Sequence, residues 1–159
     1  MGKKKLDLPS LFFSSSKKLQ NHHKSSSSLI NLMVMDYGPP NKYVCVIDPL
    51  TNLCDMGKSA VAAAESLKSA YGVAYSRIEL TPMIGGNDVI DEHFTIANAQ
   101  SMSSWALAKG LAGVHYWSFD RDRDCARGYA SSTCNSLGVP SAGTLGFFKA
   151  FLSAFGLAA

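Results

Sequence analysis

No apolar run in this chain of 159 residues comes near the ~20 needed to span a bilayer, so no membrane partner is expected. An export leader is missing as well. Lys3-Lys4-Lys5 makes a basic start, but only the short Leu8–Phe13 knot follows it, too little for a leader's apolar core. Met1-Gly2 opens like a myristoylation site, yet Leu6 stands where Ser or Thr is required. No histidine lies at ligand spacing from a cysteine, which leaves zinc without a donor set and gives no reason to expect a metal or cofactor. The adjacent His22 and His23 sit in a polar tail and read as solvated side chains.

Positive charge is scarce where a fold would use it. Lys3, Lys4, Lys5, Lys17, Lys18 and Lys24 face Asp7 alone, so residues 1–28 carry +5 of a whole-chain net charge of +3. The remainder is mildly acidic, near −2, and offers no electrostatic case for nucleic acid. The tail is rich in Lys and Ser, with Ser14-Ser15-Ser16 and Ser25 through Ser28, and has too little apolar surface to bury. Disorder is expected over 1–28 and a single folded domain over 29–159.

Cysteine is sparse but patterned. Cys45 and Cys54 are nine positions apart, as are Cys125 and Cys134, and each pair brackets turn-forming residues such as Pro49 and Asn52, or Gly128 and Ser131-Ser132. Two loop-closing disulfides are the natural reading, each contributing roughly 2–3 kcal/mol by loop entropy, and they imply an oxidising, extracellular setting. Four reduced thiols in a cytosolic protein are the alternative.

What the chain does have is a recurring phrase. Leu29 to Met35 is an apolar run that ends in Asp36-Tyr37-Gly38. Arg77 to Ile84 runs into Gly85-Gly86-Asn87-Asp88, and Gly113 to Phe119 into Asp120-Arg121-Asp122. Short apolar runs closed by polar turns read as buried parallel strands, with their polar ends at the carboxyl edge where α/β folds place chemistry. Pro82 predicts a bulge or an end in the second strand.

Between them lie helical patterns. Met56–Tyr71 has Asp55 as N-cap, Gly72 as stop, and Val61, Ala64, Leu67 and Tyr71 as its buried stripe. A second helix runs from about Thr95 to Lys109, capped by Thr95 and ended by Gly110, with Ile96, Ala99, Met102 and Ala106 inward. A third starts at Ser141 and carries Leu145, Phe148, Phe151, Leu152 and Phe155. The order β-α-β-α-β-α predicts parallel strands joined by helical crossovers. Three such units fall short of a closed barrel, which needs eight and typically ~250 residues. Either the helices cover a small open α/β domain, or the chain is part of a larger barrel; an open sheet would leave edges prone to self-association.

The residues at the strand ends narrow the choice. Ile30-Asn31-Leu32-Met33-Val34-Met35-Asp36-Tyr37-Gly38 resembles the sixth-strand motif of glycoside hydrolase family 18, the chitinase family, whose common form ends Met-x-Tyr-Asp. Leu80-Thr81-Pro82-Met83-Ile84-Gly85 with Asn87-Asp88 resembles the seventh strand of a bacterial and fungal branch. Phe94-Thr95-Ile96-Ala97-Asn98-Ala99-Gln100 is similar to the helix after it. Tyr116-Trp117-Ser118-Phe119-Asp120-Arg121-Asp122, with Cys125 and Cys134, resembles the eighth strand and its loop. The likeness spans about 29–156, in order.

The resemblance implies a partial (β/α)8 TIM barrel in which this chain supplies strands six to eight. It implies hydrolysis of β-1,4-linked N-acetylglucosamine, with chitin or its oligosaccharides as partner and extracellular action. In that family the substrate's own acetamide attacks the anomeric carbon, an exception to the two-carboxylate rule. The acid is the Glu of a D-x-x-D-x-D-x-E motif, which is absent here; Asp120-Arg121-Asp122-Arg123-Asp124 alternates but lacks the Glu. No catalytic residue is therefore assigned, and the chain alone is expected to be inactive.

The substrate-binding residues implied are Met33 at the site floor, Asp36 near the acetamide, Trp117 as stacking platform, and Asp88 facing the cleft. Met35 stands where many members carry a hydrogen-bonding Tyr, with Tyr37 one step on. For Met33 and Met35, and for Trp117 without the resemblance, ordinary core packing is the plainer alternative. Asp36 is harder to dismiss, since a carboxylate ending a buried strand needs a partner. A solvated loop with local ion pairs is the plainer reading of 120–124. A non-catalytic sugar-binding fragment and a remnant without function are the alternatives to the enzyme.

Overall fold

The computed structural model describes residues 28–158, so nearly all of the expected tail lies outside the described residues. Three strands form a parallel sheet: β1 (Ile30–Met33), β2 (Ile78–Thr81) and, after two short strands, β5 (Gly113–Val114), in the order β1-β2-β5. Ile30 sits opposite Ile78 and Met33 opposite Thr81, while Leu80 pairs with Val114. The parallel ladder runs on past the regular strands. Val34 N–H donates to Thr81 O, His115 N–H to Leu80 O and Trp117 N–H to Pro82 O. Strand two ends as a regular strand just before Pro82, as its missing N–H requires. The Trp117–Ser118 and Val139–Pro140 peptide bonds are cis.

Each main strand leads to a helix: α1 (Met56–Tyr71), α2 (Ile96–Lys109) and α3 (Gly146–Ala154). Local chemistry sets the first two. Asp55 accepts from Lys58 N–H, Thr95 and Asn98 form a reciprocal capping box, and Gly72 and Gly110 close the helices in the left-handed region. The third departs from expectation. It starts at Gly146, because Ser141 is engaged by the Asp124 carboxylate instead of capping a helix. Asp122 takes over the role, its two oxygens accepting from Phe147 N–H at 2.9 Å and Phe148 N–H at 2.7 Å, where a carboxylate suits the positive helix end.

The two faces of the sheet differ. Ile30, Leu32, Val34, Ile78, Leu80, Val114 and Tyr116 belong to the core shared with the helices. The α1 stripe there is Met56, Ala60, Ala64 and Leu67, and Tyr71, expected inward, is exposed. In α3 the buried anchors are Phe147 and Phe151; Phe151 stacks on Tyr116 with centroids 5.1 Å apart. The opposite face carries Asn31, Met33, Glu79, Thr81, His115 and Trp117, with Thr81 donating to Asn31 at 2.7 Å and Glu79 3.4 Å from His115. Asn31 and Met33 are exposed, so the reading of the first strand as fully buried is wrong: no described element covers this face. β1 and β5 each pair on one side only.

An antiparallel hairpin that the sequence pattern did not suggest, β3 (Gly85–Gly86) and β4 (His93–Phe94), leaves the rim of the sheet. Gly85 has φ +82°, and a Cβ there would lie 2.0 Å from Asn135 O. Gly72 has a similar φ of +69° but open space around it. Gly85→Ala should therefore cost about 2–4 kcal/mol in urea unfolding, against about 1 kcal/mol for Gly72→Ala. Equal losses would show that backbone strain alone, and not the close approach of Asn135, fixes this glycine.

Candidate functional site

The carboxyl ends of β1, β2 and β5 meet at one rim, and the chain's unusual polar residues gather there. Asp36, just past β1, has φ +52°, a region that non-glycine residues rarely enter. The loop at 87–92, between β3 and β4, grips it. Asp36 N–H donates to Asn87 Oδ1 at 3.4 Å, and Asp36 Oδ1 accepts from Asp88 N–H at 2.9 Å. Tyr37 N–H donates to Glu92 Oε2 at 3.1 Å. Asn87 is itself locked, donating to Met83 O and Gly85 O at 3.0 and 3.2 Å.

Glu92 is only 2% exposed. Burial pushes its carboxyl up to about 7; the nearby Asp36 carboxylate adds to the rise, and the amides of Tyr37, Gly38 and Asp36 oppose it. Its Oε1 and the Tyr37 hydroxyl are both buried without a hydrogen-bond partner. Burial, and then the Glu92 charge, drive the Tyr37 phenol upward.

Arg121 supplies the positive charge. Its side chain is fully buried, and its guanidinium donates to Ile84 O from Nε and Nη2, to Gly86 O from Nη2, and to Ser131 O from Nη1. The Trp117 ring centroid is 4.9 Å from Cζ, a cation–π contact. Burial lowers the proton affinity of Arg121 while the Asp88 and Asp36 carboxylates raise it, and a guanidinium stays charged under such opposed influences. Trp117 itself is 40% exposed, held by its backbone to Pro82 O and Ile84 N–H.

The residues singled out from sequence divide accordingly. Asp36 and Asp88 meet directly, and Arg121 links them to Trp117. Met33 is half exposed on the same face as Trp117, and Met35 is partly buried near the end of β1. Tyr37 is turned the other way: its ring packs on the core and its hydroxyl is buried. The 120–124 run is not the solvated, ion-paired loop expected. Arg121 and Asp122 are buried, Arg123 Nε donates to Thr133 O, and none of the five takes part in an ion pair among the described residues. Asp124 is lifted by burial but held well below the usual carboxylate range by donors from Ser141, Asn135 and Ala142. Disulfides Cys45–Cys54 and Cys125–Cys134 are both formed, with Cα atoms 5.6 and 5.8 Å apart. No cluster of metal ligands occurs among the described residues.

Sequence reading missed Arg121 and Glu92 as parts of the site. The signal for Arg121 was its place three residues after the Trp117-Ser118 pair, inside the segment leading to a disulfide; Glu92 gave none.

No protein-family model and no curated protein matches this chain. Solved structures do. The catalytic domain of a hyperthermophilic chitinase from Pyrococcus furiosus aligns with a TM-score of 0.60 and 28% identity, over 83% of this chain and 42% of that one. Catalytic-site mutants of active domain 2 of a P. furiosus chitinase align at 0.61 and 27%, again over 83% and 42%. Mutants complexed with chito-oligosaccharides align at 0.59 and 26%, over 81% and 40%. The fold is chitinase-like. This chain spans about two fifths of the length of the chitinase domains it matches.

The guanidinium holds this chitinase-like rim together, which gives a direct test. Arg121→Met should lower unfolding free energy by about 3–5 kcal/mol, because three carbonyls lose a buried donor. Arg121→Lys should recover less than half of this, since one ammonium cannot reproduce the planar fork. A loss below ~1 kcal/mol in urea unfolding of Arg121→Met would mean that the fork is not structural.

Proposed function

We propose that this chain forms the sugar-holding part of a chitinase-like glycoside hydrolase of family 18, strands six to eight of a (β/α)8 barrel. One observation carries the reading: Asp36, Asp88, Arg121 and the half-exposed Trp117 converge at the carboxyl rim of a parallel sheet whose fold is shared with chitinase catalytic domains. In this reading the Trp117 indole packs against the apolar C–H face of an N-acetylglucosamine unit. Asp36 receives the acetamide N–H and holds its carbonyl for attack on the anomeric carbon, while Met33 forms the apolar floor. Met35 replaces a hydrogen-bonding phenol with a thioether, which cannot donate, so this position contributes shape alone. Asp88 and Arg121 balance charge beside the acetamide. Tyr37, facing the core, supports the turn from behind.

The proton for the leaving oxygen has no donor in the family position of this chain, so the chain by itself binds without turnover. The two disulfides support action outside the cell, and among the described residues no helix is long and apolar enough to cross a membrane. The open polar face and the single-sided pairing of β1 and β5 support association through the sheet edges, with a complementary part of a barrel or a second copy.

Two measurements decide this. A chromogenic chitobioside should release no product above a buffer blank; turnover would place an acid on this chain. N-acetylglucosamine oligosaccharides should bind weakly, and Trp117→Ala should weaken binding roughly tenfold by removing the stacking face. Binding unchanged by that substitution would overturn the sugar-site reading.

A further inference from the structure

We infer that Glu92 is the positioning residue of the rim, its buried carboxylate holding the Asp36–Tyr37–Gly38 turn by the backbone and thereby aiming the Asp36 carboxylate. Its functional consequence rests on the sugar-site reading above; its structural core does not.

Asp36 lies in the left-handed region at φ +52°, which a residue with a Cβ occupies only when its surroundings force it there. Its three restraints are not equivalent. The Asp88 contact at 2.9 Å uses Asp36's own side chain, which has to be freed to engage a ligand. Of the two bonds that hold the turn by its main chain and leave that carboxylate free, the Asp36 N–H to Asn87 Oδ1 contact is long at 3.4 Å, and the Tyr37 N–H to Glu92 Oε2 bond is the shorter at 3.1 Å. A carboxylate acceptor makes that bond charge-assisted.

Glu92 is fixed from its own side too. Its N–H donates to Val89 O, and its carbonyl accepts from Asn87 N–H, both at 2.9 Å. The bulk of the Tyr37 ring on the core blocks the turn from swinging outward. A carboxyl so buried, with Oε1 unpartnered, is costly to stability unless it serves a local purpose.

The arrangement also makes the turn responsive to protons. The charged group that acts on Glu92 is the Asp36 carboxylate, unfavourable to a negative charge, while the Tyr37 phenol, raised by burial, stays un-ionised at neutral pH. On its own hairpin Asp91 flanks it, and Arg127 acts on the adjacent His93. Glu92 therefore takes up its proton near neutrality, at about 7. Above that value the carboxylate accepts the Tyr37 amide at full strength; below it, the neutral acid is a weaker acceptor and the turn loosens. Stability runs in the opposite sense. The folded chain keeps a proton that the unfolded chain releases near 4.5, so unfolding free energy falls as pH rises from about 4.5 to about 7. Global stability and local order of the turn thus move oppositely with pH, a signature that a purely packing role for Glu92 lacks.

The test is amide NMR and hydrogen exchange on the isotope-labelled full chain, from about pH 5 to about pH 9. The Tyr37 and Asp88 amide resonances should shift together with a midpoint near that of the Glu92 carboxyl. Glu92→Gln, which keeps an acceptor oxygen but cannot ionise, should flatten both shifts while Tyr37 stays protected. Glu92→Ala should raise Tyr37 amide exchange about tenfold, and weaken N-acetylglucosamine oligosaccharide binding by a similar factor that Glu92→Gln largely restores. Wild-type amides that do not move with pH, or Tyr37 protection unchanged in Glu92→Ala, would overturn the inference. If the wild-type chain binds no sugar at all, the sugar reading fails alone and the amide data still decide the role of Glu92.

Discussion

The rim depends on one buried guanidinium. Arg121 lies at the end of a short 3-10 turn, Phe119–Arg121, and its side chain runs inward to the carbonyls of Ile84, Gly86 and Ser131. Those carbonyls belong to the link between β2 and β3, to β3 itself and to the disulfide loop. A buried cation needs compensation. Here it comes from carbonyl dipoles at contact distance, from the Trp117 face at 4.9 Å, and from the fields of Asp88 and Asp36. Removing any one of these leaves the charge less well solvated. That mutual dependence ties the stacking face of Trp117 to the carboxylates opposite it.

The sheet explains why such a cluster is tolerated. Its helix side is closed mainly by Ala, Leu, Met and Phe packing. Its other side carries Asn31, Glu79, Thr81 and His115, satisfied partly by each other, and stays open among the described residues. A face this polar and this partly paired is unlike the buried side of an ordinary open α/β sheet. It fits the lumen of a barrel, where inward side chains meet those of strands on the far side. The likeness to roughly two fifths of chitinase catalytic domains agrees with that geometry.

Local chemistry was readable from the sequence and distant chemistry was not. Asp55, Thr95, Gly72 and Gly110 mark helix ends by bonds within a few residues, so their patterns are sufficient. Parallel strands joined by helices followed from apolar runs alternating with helical patterns. Ser141 failed as a cap because Asp124, seventeen positions earlier, competes for it. Arg121 looked like one member of an alternating charge run, and only folding reveals that the turn directs it inward. Glu92 is plainer still: between Asp91 and His93 it reads as solvated, and its burial is imposed by Tyr37, fifty-five positions away. Tyr37 was half legible. Strict alternation would keep it on the Met33 face, four residues on, and the left-handed turn at Asp36 sends it into the core instead.

The charge balance at the rim gives the residues one logic. Asp36 and Asp88 act on the single Arg121 guanidinium, and Asp36 acts in turn on the Glu92 carboxyl. Three ionised carboxylates would leave a net negative cluster, and the least hydrated of them, Glu92, relieves it by taking up a proton near neutrality. Asp36 and Asp88 then leave one net negative charge beside Arg121 at the open edge, in place of two. In the proposed reading, a neutral, amide-bearing sugar is better served by that reduced charge. Its acetamide offers one donor and one acceptor, and its ring offers an apolar face. The rim presents a carboxylate acceptor in a fixed turn and an indole face backed by a cation, which matches the donor and the ring. In the proposed reading the acetamide carbonyl finds no phenol at Met35, and there that carbonyl would be the nucleophile, so the missing donor would bear on reactivity more than on recognition.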